Sequence, residues 1–162
     1  MIVRDVLHGA LVLLGAVLIH ALVGPWLAAS LFGLNVFPIA VILFAMVKGD
    51  MAGAVMGSFA GIVADSFSMG VFGVNGVILT AVGFLSGWIS RRINVVAPAR
   101  SFLFIGLLSV FDLFLRLGLS AAILAEPAPW NQGRLLLQPP FMAAAGAAAF
   151  ALYRRIRKAH AR

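Results

Sequence analysis

The sequence contains no cysteine, which excludes disulfides, thiolate metal sites and a cysteine nucleophile. Charge is nearly as scarce: 5 acidic and 12 basic residues among 162. The three histidines, His8, His20 and His160, are scattered, and none has metal-ligand spacing to acidic neighbours. There is no His-Glu zinc motif, no Gly-x-Ser-x-Gly, and no pair of aspartates on facing segments at one depth. An enzyme is therefore the weakest reading, with no catalytic, cofactor-binding or metal-binding residue to name. Aromatic and basic residues are not interleaved on a polar face, which argues against nucleic acid despite a net charge of +7.

What the chain has instead is long uncharged runs. Between Asp5 and Lys48 lie 42 residues without a charge, and between Asp65 and Arg91 another 25. From Arg92 to Arg154 only Arg100, Asp112, Arg116, Glu126 and Arg134 interrupt the apolar sequence. A helix needs about 20 largely apolar residues to cross a bilayer core of roughly 30 Å, because its peptide groups must be satisfied internally. With 63% hydrophobic residues and a mean hydropathy of +1.10, the chain reads as a polytopic, all-α integral membrane protein. No stretch between the runs is long enough to fold as a soluble catalytic domain.

The pattern predicts six spans in one bundle, one domain over residues 1–162. They fall at about 6–23, 36–47, 51–67, 74–90, 101–125 and 138–153. The first follows Arg4 without a convincing small-residue cleavage site and is read as a retained span stopped by Gly24-Pro25. Pro38 suits the first turn of the second, and Gln138-Pro139-Pro140 opens the sixth. The second and third are short for a full crossing, so they are either buried by neighbours or extended by their turns. The loop 126–134, with Pro127, Pro129 and Trp130, is the longest outer connection; Trp26 and Trp88 are further candidate headgroup anchors.

This arrangement places Arg4, Lys48, Arg91, Arg92, Arg100, Arg154, Arg155, Arg157, Lys158 and Arg162 on one side. Only Arg134 falls opposite, with Arg116 inside a span. Basic residues favour the cytoplasmic side, so both termini are expected in the cytoplasm. Arg91, Arg92, Arg154, Arg155, Arg157 and Lys158 act as basic anchors at anionic lipid headgroups, the tail cluster being also open to a partner.

Three constellations stand out. Gly53, Gly57 and Gly61 form two overlapping Gly-x3-Gly steps in the third span, and Gly83 and Gly87 a single step in the fourth. Such spacing puts the glycines on one face, where another helix backbone can approach, either within the bundle or from another protein. Asp65 closes the third span about 22 Å from Asp50, near the outer boundary. It is either satisfied by backbone N–H groups of the next turn, with Asn75 helping to open the fourth helix, or presented to a partner. Asp112 and Arg116 are four apart on one face of the fifth span, close to mid-membrane. A structural ion pair is the favoured reading; in a proton relay only His20 could extend it.

The stretch Gly53-x3-Gly57-x3-Gly61-x3-Asp65, then Gly70-x2-Gly73-x-Asn75-Gly76, then Gly83-x3-Gly87 and Arg91-Arg92, resembles the core of the rod shape-determining protein MreD family. Asn75 departs from the pattern, standing where relatives are expected to carry a residue such as His. The resemblance implies a non-enzymatic scaffold of the cell inner membrane that organises side-wall peptidoglycan synthesis and maintains rod shape. It implies association with an MreC-type single-span protein, and through it with MreB, RodZ, RodA and its class B transpeptidase. It also implies a fold like the S components of energy-coupling-factor transporters. A substrate-binding subunit of a small-molecule transporter is the alternative. Against it, Ala10, Ala16 and Ala21 miss the Ala-x3-Ala spacing of a coupling face, and a pocket would want more convergent aromatic and polar groups.

Overall fold

The computed structural model describes residues 2–29, 35–68, 71–93, 95, 98–124 and 134–159. Among these the chain is all-helical: α1 (Ile2–Ala29), α2 (Val36–Lys48), α3 (Asp50–Phe67), α4 (Val74–Arg92), α5 (Pro98–Leu124) and α6 (Arg134–Ala159). The expected loop 126–133, with Trp130, and the turn glycine Gly70 lie outside the described residues. So do the side chains of Trp26, Arg157 and Lys158.

Two helix ends differ from expectation. α1 runs through Gly24-Pro25 to Ala29, and α6 starts at Arg134, upstream of Pro139 and Pro140. A proline removes one backbone donor and crowds the carbonyl four residues back, which weakens a single rung. Helices of 28 and 26 residues keep enough other rungs to continue through. At α2 the local chemistry is simple: Asn35 accepts a hydrogen bond from the Phe37 amide at 3.1 Å, and Pro38 sits in the first turn, where its missing N–H costs nothing.

The short α2 is the axis of the bundle and touches each of the other five helices. Its two faces divide the core. Phe37 and Val41 pack with Ala16, Met56, Ala60, Ala64 and Leu79. Ile42 packs with Ile78, Val82, Phe104, Ile105 and Leu108 on the other side. These neighbours bury Phe37, Pro38, Val41, Ile42 and Ala45, so the short helix is held by packing rather than by length.

The exterior is apolar as well. Met51, Val55, Phe59 and Ile62 form an exposed stripe along α3, and Leu103, Leu107, Val110 and Phe114 another along α5. Stripes of this kind exceed the scattered apolar residues normal on a water-facing surface. By length and composition, one described stretch, Ala99–Ile123, is long and apolar enough to cross a bilayer unaided; Leu7–Leu22, part of α1, and Val36–Lys48 are shorter apolar stretches. α3 and α4 fall short because glycines, hydroxyls and the terminal charges Asp50, Asp65, Arg91 and Arg92 dilute their hydropathy.

Candidate functional site

The site begins with the contact between α3 and α4, which is made backbone to backbone. A methyl group placed on Gly57 would fall onto the carbonyl of Leu79; one on Gly53 would meet the carbonyl of Gly83, and the reverse holds as well. Gly61 faces Asn75 and Gly76, and Gly87 faces Gly49 and Asp50. The two Gly-x3-Gly series therefore lie against each other inside this chain. Polar atoms in the seam find partners within it: the Ser58 and Thr80 hydroxyls are 2.8 Å apart, and Thr80 donates to the Gly76 carbonyl at 2.6 Å. Ser86 donates across to the Ile42 carbonyl on α2 at 3.2 Å.

This close seam carries Asp65 to the start of α4, where it is only 4% exposed. Its carboxylate accepts hydrogen bonds from the Gly73 amide at 2.8 Å, the Asn75 amide at 3.2 Å and the Gly76 amide at 3.4 Å. These are N-terminal donors that a helix cannot pair internally, and Gly73 has no side chain with which to cap them. α3 thus caps α4, with a negative charge placed at the positive end of the α4 dipole. Gly73 takes φ +97, a left-handed conformation that glycine adopts without steric strain. The burial places the carboxylate away from any partner surface, whereas Val71 and Phe72 in the same turn are exposed, Phe72 at 68%.

Asn75 links this cap to α5. Its Nδ2 donates to Asp65 at 2.7 Å, and its Oδ1 accepts from Nη1 of Arg116. Arg116 in turn donates through Nε to Asp112 at 2.9 Å. Asp112 is 1% exposed. Four residues from three helices form one chain of contacts: Asp65, Asn75, Arg116, Asp112. The i, i+4 pair on α5 stands as expected, but the bond from Arg116 to Asn75 was not anticipated from the sequence. The pair alone leaves part of the guanidinium fork unused, and Asn75 takes it up. The network holds one guanidinium for two carboxylates: Arg116 pairs directly with Asp112, and the α4 amides supply positive partial charge to Asp65.

His20 does not extend this chain. Its ring packs on Phe37 and Phe67, with centroids 5.1 and 5.3 Å away, and its Nδ1 is buried without a hydrogen-bond partner among the described residues. At the opposite end of the bundle, Arg91 pairs with Asp50 at 3.2 Å and lies over Gly49, which has φ +97. Arg92 stacks on Trp88, 4.6 Å from the ring centre. Arg91 therefore fastens α4 to the α2–α3 junction, while Arg92 stays against its own helix. Arg154 is half-buried and Arg155 exposed on the last turns of α6. Among the described residues no group of three or more His, Asp or Glu side chains is arranged to hold a metal ion.

No known family, curated protein or solved structure matches this chain. The geometry must therefore carry the functional argument. The network joins carboxylate, amide and guanidinium groups that are hydrogen-bonded to one another. It ties the α3–α4 turn, from which Val71 and Phe72 project, to α5.

Proposed function

We propose that the protein is a non-enzymatic scaffold of the bacterial inner membrane, an MreD-type component that holds an MreC-type single-span partner and organises side-wall peptidoglycan synthesis. In this reading the six helices are six spans with both termini cytoplasmic, and the bundle resembles the S components of energy-coupling-factor transporters. The apolar stripes on α3 and α5 then face lipid. The observation that carries the proposal is the clamp itself. Among the described residues the two buried carboxylates, Asp65 and Asp112, are joined through Asn75 and Arg116 at the base of one outer turn, whose exposed tip is Phe72. A rigid apolar tip on a charge-locked base is suited to docking and offers no chemistry.

The test has two parts. Single cysteines in this cysteine-free chain, probed from outside with an impermeant maleimide, should label at Ser68→Cys and stay unlabelled at Arg100→Cys. Labelling of both in intact cells would overturn the topology. Depletion should round rod-shaped cells, and the purified protein should co-elute with an MreC-type partner in detergent. Phe72→Ala should weaken that co-elution without lowering protein level. Unchanged cell shape, or tight vitamin binding by the isolated protein, would move the assignment to the transporter subunit.

A further inference from the structure

We draw no further inference here: the strongest candidate, the hollow of about 370 Å³ at the C-terminal end of α4 lined by Ser90, Arg91, Arg92 and Phe150, carries none, because Arg91 is already ion-paired with Asp50, Arg92 is stacked on Trp88, and nothing in the structure shows what covers it.

Discussion

The α3–α4 seam and the gap between α1 and α6, which both pack on α2 but not on each other among the described residues, use glycine in opposite ways. Gly53, Gly57, Gly61, Gly83 and Gly87 line the seam, whereas Gly15 lines the gap among larger side chains such as Leu43, Phe44 and Phe150. In the seam each missing side chain is matched by an opposing backbone, so the helices touch along their length. In the gap the missing side chain at Gly15 faces open space. A glycine therefore permits close approach, and brings it about only where an opposing backbone lies in register.

The largest expected effect follows directly from this contrast. Gly57→Leu should force α3 and α4 apart and lose most of the folded protein, because the obstructing atoms are backbone and cannot swing aside. Gly15→Leu, the same change in the gap, should leave protein level and thermal unfolding in detergent near wild type. Equal loss in both would erase the distinction between seam and gap.

Next in size is the ion network that closes the seam at the Asp65 end. Arg116→Gln leaves Asp112 buried without its ion-pair partner and should cost about 3–5 kcal/mol by equilibrium unfolding. The double change Asp112→Asn with Arg116→Gln should recover part of that loss, giving a non-additive cycle. A double variant no better than the worse single would point to a role for one charge beyond pairing. Asn75→Ala removes the link between cap and pair, leaving hydrogen-bonding groups of Asp65 and Arg116 unpaired, and should cost about 1–3 kcal/mol.

The smallest effect is expected at the other end of the same seam. Arg91 is 61% exposed, so its ion pair with Asp50 is solvent-screened and Arg91→Ala should cost under about 1 kcal/mol. A loss as large as that from Arg116→Gln would mean that the Asp50 end is as tightly locked as the Asp65 end.

The features legible in the sequence were those set by local spacing. Glycines four apart identify a helix face, Asp112 and Arg116 four apart identify a pair, and an acid before a glycine-rich turn identifies a cap. The glycine spacing could not name the partner of that face, which is α4 of the same chain. Nor did it join Asn75 to Arg116, 41 positions away. A depth count carried the missing signal. Arg116 lies 16 residues beyond Arg100, about 24 Å along its helix, and Asp65 lies about 22 Å beyond Asp50. Groups at one depth on neighbouring helices are candidates for contact, and a fork with spare donors beside an unassigned amide was the cue. The end of α1 and the start of α6 were misplaced for a different reason: proline was treated as a helix boundary, when in a long helix it removes only a rung.

The hydroxyl and carboxylate contacts of the α3–α4 hairpin bear on how the chain is made. Neither α3 nor α4 qualifies as a span by length and composition, whereas part of α5 does. Together they hide Ser58 against Thr80 and Asp65 against the α4 amides. In the membrane reading, their biosynthesis should follow the hairpin rather than the single helix. α3 should wait beside the insertion channel until α4 emerges, and the two should enter the bilayer as a unit. A glycosylation-reporter assay should then find poor insertion of α3 alone and efficient insertion of the pair, with Thr80→Val reducing the advantage of pairing.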